Sequence, residues 1–293
     1  MKSKSTISKY KDQICDITKD PSFVDKKFAY GFTSTVYRLG NSVIKETYLS
    51  KEELEEQDFF EEVKANVFFR EHPDLQSYVI PFEGFEFCED KIYTKYEYVG
   101  NPLSETILDY TPEELTIILD KVLQNIKNLH KYVIHGDLHT GNIFVVKDKS
   151  GIIKNVVFGD WGRAVIKGRT ARILPEHLRV EVSEEIDIKR FLDSFKQRLE
   201  MAYFFKNVNT KYALKLLQDK NSKKKFFLTL TTKINKRKKR YPHRPSEFID
   251  KLRPFLFNDL LFEMIKKEYG ETFVIQKCKF SSTMKEFIKS LSL

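Results

Sequence analysis

Three side chains in the stretch 133–164 have the types and the spacing to handle a metal ion and a proton together. Asp137 and Asn142 are five positions apart, so one compact loop can direct both side chains into a single cleft. The runs IFVV and NVVF, joined by the turn residues KDKSG, predict a hairpin whose second strand leads to Asp160. One carboxylate can orient a hydroxyl while the other, with an amide, holds magnesium against phosphates, which suits phosphoryl transfer. The alternative is an Asp-rich hairpin without chemistry.

The motifs HGDLHTGN and DWG resemble the catalytic loop and the metal-binding DFG element of the protein-kinase-like superfamily. The resemblance implies that Asp137 is the catalytic base, that Asn142 is a metal ligand and that Asp160 is the main magnesium ligand. It also implies ATP and Mg²⁺ as cofactors. The resemblance covers roughly residues 28–199, with a strong centre at these two motifs and weaker flanks.

A β-rich segment near the start, KFAYGFTSTVYRLGNSVIKETY, predicts a hairpin and one further strand. Ala29, Gly31, Ser34 and Val36 fall at the four positions of the kinase pattern G-x-G-x-x-G-x-V, so only the middle glycine is kept. By this resemblance the loop approaches the phosphates and Val36 covers the adenine. Lys45, in VIK, resembles the strand lysine that binds the α- and β-phosphates. A solvated strand lysine is the other interpretation of Lys45.

The next segment, KEELEEQDFFEEVKANVFFREHPDL, is rich in helix formers and predicts a helix that ends before the proline. In kinases a helix at this place carries a glutamate that pairs with the strand lysine. Glu62 aligns best with that glutamate, and Glu61 and Glu56 remain possible. Most carboxylates of the segment form a solvated helical face.

Two strand-like runs follow, and the second, KIYTKYEYV, resembles the hinge that joins the kinase lobes. The resemblance implies that Tyr96 is the gatekeeper behind the base. Glu97 and Val99 would present backbone groups to the adenine. The alternative is an edge strand of tyrosines on a mixed surface.

A helix is predicted to begin after Thr111, because Thr111 can cap it, Pro112 occupies the first helical position and Glu114 completes a capping box. Apolar residues then recur at helical spacing and indicate a buried face. This helix leads into the catalytic loop. Further on, a second apolar stripe predicts a helix from Ser183, and Asp187 near its start resembles the buried aspartate that supports the kinase catalytic loop. A charge favoured by the helix dipole is the competing account of Asp187.

The pattern departs from protein kinases in the loop itself. Gly136 replaces the arginine that meets an activation-loop phosphate, which argues against activation by loop phosphorylation. His139 replaces the usual lysine, and the segment 163–182 has no Ala-Pro-Glu. HGDLHTGN is closer to aminoglycoside and choline kinases. His135 and His139 lie four apart, but in a loop without a third ligand they do not indicate zinc.

The composition is ordinary for a globular chain of 293 residues. Cys15, Cys88 and Cys278 are far apart and odd in number, which predicts reduced thiols and an intracellular, cytoplasmic protein. We expect no membrane span, because no apolar run is long enough. The 51 basic against 42 acidic residues give a charge of +9 and favour acidic partners.

The last third lacks recognisable catalytic motifs. Helices are predicted around 210–218 and 245–269, and a basic segment, 220–244, lies between them. Its cations repel one another and must be solvated or bound to an anionic partner. Nucleic acid, a nuclear import receptor, an acidic protein, an anionic membrane or a merely soluble loop all remain open, and nuclear localisation is possible through the same cluster. Without a binding motif, nucleic acid is not favoured as the main function.

Together these patterns predict an α+β, bilobal protein-kinase-like fold. We expect a lead-in at 1–26, a small β-rich N-lobe with one main helix at 27–99, and a mostly helical C-lobe at 100–293. The predicted function is ATP- and Mg-dependent transfer of the γ-phosphoryl group to a hydroxyl, with an acidic protein serine or threonine preferred as acceptor. The alternatives are a small-molecule kinase of the aminoglycoside or choline type and a non-catalytic nucleotide-binding pseudokinase scaffold.

Overall fold

The structure is a computed structural model, and it describes residues 14–30, 34–48, 59–88, 91–168, 182–207, 211–240 and 246–269. It is of the mixed α+β class and divides into two compact units, Met1–Phe195 and Lys196–Leu293. Within the described residues, no helix is long and apolar enough to cross a bilayer.

The first unit contains a five-stranded antiparallel sheet of order β1-β2-β3-β5-β4. Its strands are β1 (Lys27–Tyr30), β2 (Ser34–Leu39), β3 (Ser42–Tyr48), β4 (Phe82–Cys88) and β5 (Lys91–Glu97). The β2–β3 turn contains Gly40 at φ 59°, a backbone conformation that glycine adopts without strain. Side chains alternate between the faces of a strand, so Lys45 lies on one face of β3 while Ile44 and Glu46 lie on the other.

The face with Ile44 is covered by the start of the chain, which forms helix α1 (Ile14–Lys19) and a 3-10 turn (Pro21–Lys26). Phe23 of that turn stacks on Tyr37 with 4.1 Å between ring centroids. The segment that the sequence presents as a lead-in therefore supplies part of the core of this sheet. The buried members of that core are Ile14, Phe23, Tyr37, Ile44 and Tyr93.

A disulfide joins Cys15 and Cys88, which corrects the expectation of reduced thiols. The two residues are 73 positions apart in sequence, but α1 packs beside β4 and brings their Cα atoms to 5.6 Å. Only this tertiary contact reveals the pair, since their sequence spacing matches no recognisable framework. Cys278 lies outside the described residues.

On the opposite side of the sheet, the described part of the predicted helix is α2 (Phe59–Glu71). Its buried face carries Glu62, Ala65 and Asn66 in addition to aromatic residues. Phe69 meets Trp161 edge to face, with 4.5 Å between ring centroids. The Trp161 of the DWG motif is therefore packed against this helix.

The remaining elements of the first unit form around α4 (Pro112–Leu129), whose capping box between Thr111 and Glu114 is present as the sequence predicts. The apolar stripe of α4 is buried, and Asn125 on it donates to the carbonyl of Val156 at 2.9 Å. The other elements of this unit are α3 (Leu103–Thr106), β6 (Val133–Ile134), β7 (Ile143–Lys147), β8 (Ile153–Phe158), β9 (Val165–Ile166) and the first part of α5 (Glu184–Asn207). β7 and β8 form the predicted hairpin, and β6 pairs with β9.

The described part of the second unit contains three further helices, α6 (Lys211–Gln218), α7 (Lys220–Arg240) and α8 (Ser246–Tyr269). α6 and α8 agree with the helices that the sequence predicts. The basic segment between them was not predicted to be a helix, yet α7 occupies most of it. Phe226, Leu230 and Ile234 recur every four residues and are buried, so a short apolar stripe anchors a helix that is otherwise strongly basic.

Candidate functional site

Lys45 lies at the centre of the site, between two carboxylates. Its Nζ is 2.7 Å from Oε2 of Glu62 on α2 and 3.0 Å from Oδ1 of Asp160, which follows β8. Of the three glutamates considered from the sequence, Glu62 is the one that pairs with Lys45. Glu61 pairs with Lys64 instead, and Glu56 lies outside the described residues. One ammonium group thus joins Glu62 to Asp160, which lies 115 positions from Lys45 in the sequence.

The burial of this cluster and its charges act in opposite directions on the pKa of each group. Burial alone would lower the pKa of Lys45, but the charges of Asp160 and Glu62 outweigh it and raise the pKa. Burial raises the pKa of Glu62 despite its contact with Lys45. For Asp160 the charge of Lys45 is the larger effect and lowers the pKa, while the carboxylate remains 54% exposed. Asp160 is therefore an ionised group with one side open to a ligand.

Tyr96 and Asn66 complete the surroundings of Glu62, a contact that the sequence does not indicate. The hydroxyl of Tyr96 donates to Oε1 of Glu62 at 2.6 Å, so Lys45 and Tyr96 bind different oxygens of the same carboxylate. Asn66 donates its amide to the backbone carbonyl of Glu62 at 2.8 Å and lies 3.2 Å from the Tyr96 hydroxyl. Burial, and then the charge of Glu62, raise the pKa of Tyr96, so the phenol stays protonated and remains a donor.

Asp137 and Asn142 lie in the loop between β6 and β7. The side-chain amide of Asn142 donates to the backbone carbonyl of Asp137 at 3.0 Å, which fixes the two residues relative to one another. Its amide oxygen is the atom left for a ligand. Oδ2 of Asp137 is 3.7 Å from a guanidinium nitrogen of Arg163. His139 accepts the backbone N–H of Gly141 at 3.0 Å, so this histidine stabilises the loop locally.

His135 connects the loop to the residue that precedes Asp160. Nε2 lies 3.1 Å from the carbonyl oxygen of Gly159, and Nδ1 lies 3.3 Å from the backbone N–H of Asp137. Burial lowers the pKa of His135 even though nearby carboxylates act against it. A neutral ring that donates from Nε2 and accepts at Nδ1 satisfies both contacts. The positions of Asp137 and Asp160 are thereby coupled through one buried ring.

Asp187, on the first turn of α5, is fully buried beneath the loop. Its two oxygens accept the backbone N–H groups of His135 at 2.7 Å and Gly136 at 2.9 Å. Nε2 of His130 is 3.2 Å from the same carboxylate. Of the two accounts that the sequence allows, Asp187 therefore supports the loop directly and is more than a charge at a helix end.

The backbone at Gly136 leaves no room for a side chain. Its φ is 79°, and a Cβ atom at this position would overlap the backbone carbonyl of Arg163. Arg190 of α5 donates to the Gly136 carbonyl. No side chain fits between the loop and the chain that follows the DWG motif.

The backbone of Asp160 is strained. Its φ of 62° lies in the left-handed region, and it is the only non-glycine residue with positive φ among the described ranges. Such conformations persist where the surroundings fix them, and they concentrate at functional sites. The contact of the Asp160 carboxylate with Lys45 is one of the interactions that fix this conformation.

The structure places the remaining predicted positions as follows. Val36 lies directly opposite Lys45 in the β2–β3 pair, so both side chains share one face of the sheet. The backbone N–H of Glu97 donates to the carbonyl of Pro81 at 3.0 Å. Val99 follows β5 and is partly buried. Gly31 lies outside the described residues.

The donor set near Asp160 suits magnesium, because Mg²⁺ takes one or two carboxylates and completes its shell with substrate phosphates and water. The exposed carboxylate of Asp160 and the amide oxygen of Asn142 are hard oxygen donors of this kind. Another group of ligand-type side chains, Cys15, Glu86 and Cys88, lies at the edge of the sheet. Its two thiols are joined in the disulfide, and thiolates are poor ligands for magnesium.

No family model matches this chain, and no curated protein matches its sequence at a significant level.

Proposed function

We propose that this protein is an ATP- and Mg-dependent phosphotransferase with a bilobal, kinase-like arrangement, and that it moves the γ-phosphoryl group of ATP to a hydroxyl. The observation that carries the proposal is the position of Lys45, bonded to both Glu62 and Asp160. A lysine held by one buried carboxylate and next to a second, exposed one is positioned to bind phosphates beside a magnesium ligand.

Each residue has a distinct task in this proposal. Lys45 binds the phosphates of the nucleotide, and Glu62 with Tyr96 keeps its ammonium group in place. Asp160 and Asn142 hold magnesium, which neutralises charge on the phosphates. Asp137 accepts or orients the proton of the acceptor hydroxyl, and its position is fixed by the Asn142 amide at its carbonyl.

A protein serine or threonine is the preferred acceptor. The basic excess of the chain favours acidic protein substrates. A small-molecule acceptor is the second candidate, and Gly136 favours it. With φ at 79° and no room for a side chain, this position cannot carry the cation that meets a phosphorylated activation loop.

The test is incubation of the full chain with magnesium and γ-labelled ATP, with casein-like acidic proteins or with aminoglycosides and choline. Asp137→Asn is expected to lower turnover by about 10²–10⁴-fold, as for loss of a general base, and to leave nucleotide binding intact. Asp160→Asn is expected to abolish Mg-dependent nucleotide binding. Asp120→Asn, an exposed aspartate on α4, is the matched control and should behave like the wild type.

The acceptor that gains label decides between the two substrate classes. Wild-type turnover by Asp137→Asn would show that its catalytic assignment is wrong. A chain that binds Mg-ATP but transfers no phosphoryl group to any acceptor would instead be a pseudokinase scaffold.

A further inference from the structure

Helix α7 carries a concentration of positive charge that the proposed phosphotransfer site does not use. Its 21 residues, KNSKKKFFLTLTTKINKRKKR, include ten lysines and arginines and no acidic residue. Nine of the cations form two groups, one in the first two turns and one in the last two, and Lys233 lies between them. Concentrating this charge on a single helix costs electrostatic repulsion, which only solvent or an anionic partner relieves.

The buried stripe of α7 determines which way these cations face. Phe226, Leu230 and Ile234 are buried within the second unit, and Phe226 meets Phe257 of α8 with 4.9 Å between ring centroids. At 100° per residue, the positions opposite this stripe are those near Thr232. The cations on that outward half are exposed, and they are Lys224, Lys225, Lys236 and Lys239.

These four lysines have no acidic partner within the described part of the chain. No ion pair joins any of them to a residue in the ranges that the structure describes, although Lys266 of the same unit does pair with Glu200. The outward half of α7 therefore carries cations at both ends of a surface about 21 Å long, from Lys225 to Lys239 at 1.5 Å per residue, with an uncharged stretch between them.

We propose that this surface binds duplex nucleic acid through the phosphate backbone, without reading base sequence. A duplex carries one negative charge for about every 1.7 Å of its axis, so it presents phosphates along the whole length of the helix. Lysine ammonium groups act as point charges on phosphates, and they lack the forked geometry with which arginine recognises guanine. Asn235 lies between the two cation groups and supplies a further polar contact to phosphate or sugar, whereas the hydroxyls of Thr231 and Thr232 already donate to the carbonyls of Phe227 and Leu228.

The structure favours nucleic acid over an anionic membrane. A helix that lies in a membrane interface presents a broad apolar face below its cations. In α7 the apolar stripe is turned into the second unit, and the middle of the outward half is polar apart from Leu228. The exposed apolar side chains of α7 are Phe227 at 44% and Leu228 at 67%, and two neighbouring residues do not form a broad inserting face.

The experiment measures binding of the full chain to a fluorescently labelled 20-base-pair DNA duplex by anisotropy, between 50 and 300 mM salt. We expect the logarithm of the binding constant to fall linearly with the logarithm of the salt concentration, with a slope of about −0.9 for each phosphate contacted. Two duplexes of unrelated sequence should bind within about twofold of each other. The Asp137→Asn variant should bind as the wild type does, which separates this test from the proposed phosphotransfer.

The decisive variant is Lys225→Gln, Lys236→Gln and Lys239→Gln together, with helix content checked by circular dichroism. Each lost phosphate contact should reduce the slope by about 1, so the triple variant should lose about 3 units and at least about tenfold in affinity at 100 mM salt. The control removes three exposed lysines of the first unit, Lys127, Lys149 and Lys154. The single variant Lys239→Gln should reduce the magnitude of the salt slope by about 1. It replaces the triple variant as the test if the triple variant loses helix content.

Several outcomes would overturn the proposal. These are absence of duplex binding at 50 mM salt, an unchanged slope in the triple variant, and an equal loss in the control. Vesicles rich in phosphatidylserine or an acidic polyglutamate peptide that competed with the duplex at equal charge would also overturn it, and would reassign the surface to that partner.

Discussion

Lys45 in the first unit and Lys225 in the second are both lysines on regular secondary structure, but their surroundings differ completely. Lys45 is 16% exposed and contacts two carboxylates at 2.7 and 3.0 Å. Lys225 is exposed and, among the described residues, has no acidic partner. In the first unit each charge has a specific neighbour. On α7 the cations lie on one exposed surface. Their summed charge attracts an anionic partner more strongly than any single lysine does.

This difference has an energetic meaning. A buried charge without its partner keeps the full cost of desolvation, so removal of one member of a buried cluster is expensive. An exposed charge is already solvated, and its removal changes stability little. The comparison therefore predicts large single-residue effects around Lys45 and the loop of Asp137, and small ones on α7.

The largest effect is expected at Asp187. Its carboxylate accepts the backbone N–H groups of His135 and Gly136 and contacts His130. Asp187→Asn leaves one carbonyl oxygen for these donors and turns an NH₂ group toward another of them. A buried N–H group is then unsatisfied, which costs about 1–3 kcal/mol, and the lost charge-assisted hydrogen bond adds to it. We expect the free energy of unfolding to fall by about 3 kcal/mol.

Denaturant titration followed by circular dichroism measures this loss. Asp193→Asn is the control, because Asp193 lies on the same helix but is exposed. Its effect should stay within about 0.5 kcal/mol. Equal effects of the two substitutions would show that the buried carboxylate does not support the loop. Burial of a charge in the first unit would then not make its loss more costly than the loss of an exposed charge on α7.

The sequence predicts the elements of this region better than the contacts between them. HGDLHTGN, DWG and the capping box at Thr111 are local patterns, and each identifies its loop or helix without knowledge of the rest of the chain. The hydrogen bond from Tyr96 to Glu62 joins residues 34 positions apart and depends on how α2 lies on the sheet. No local pattern encodes that distance.

Two features of the structure, the disulfide and helix α7, differ from the sequence-based expectation because they also depend on long-range packing. Cys15 and Cys88 meet because α1 packs beside β4, and their spacing of 73 residues carries no signal of that contact. α7 looks like a solvated linker because its apolar residues are few. Only Phe226, Leu230 and Ile234, at intervals of four, indicate the helix, and repulsion between neighbouring cations argues against it. Packing within the second unit supplies the stability that propensity and charge do not.

An intermediate effect is expected when Tyr96 is replaced by phenylalanine. Its hydroxyl donates to a buried, charged carboxylate at 2.6 Å, and hydrogen bonds to charged groups contribute about 1.5–3 kcal/mol. Tyr96→Phe should therefore lower the free energy of unfolding by about 2 kcal/mol. It should also weaken nucleotide binding, because Glu62 then holds Lys45 less firmly.

Tyr98→Phe provides the matched control for this change. The Tyr98 hydroxyl donates to Asn101 at 3.1 Å in an exposed position, where water can replace the contact. Its loss should cost less than about 0.5 kcal/mol. If the two variants were equally stable, Tyr96 would not be a positioning residue for Glu62, and the carboxylate would rely on Lys45 alone.

The smallest effects are expected on α7, and their size should differ between its two ends. Lys223 lies in the early part of the helix, near the positive end of the dipole, whereas Lys239 lies in the last turn, near the negative end. Lys223→Gln should raise the free energy of unfolding by a few tenths of a kcal/mol, because it relieves both the repulsion between cations and the unfavourable dipole interaction. Lys239→Gln should shift it less, because relief of repulsion and loss of the favourable dipole interaction oppose each other. Both shifts should shrink as salt rises, since salt screens exposed charges. Denaturant titrations at 20 and 300 mM salt measure them. A loss above about 2 kcal/mol in either variant would mean that an acidic group of the chain already binds that lysine. That lysine would then be paired, as Lys45 is, and it would not be available to bind a phosphate of nucleic acid.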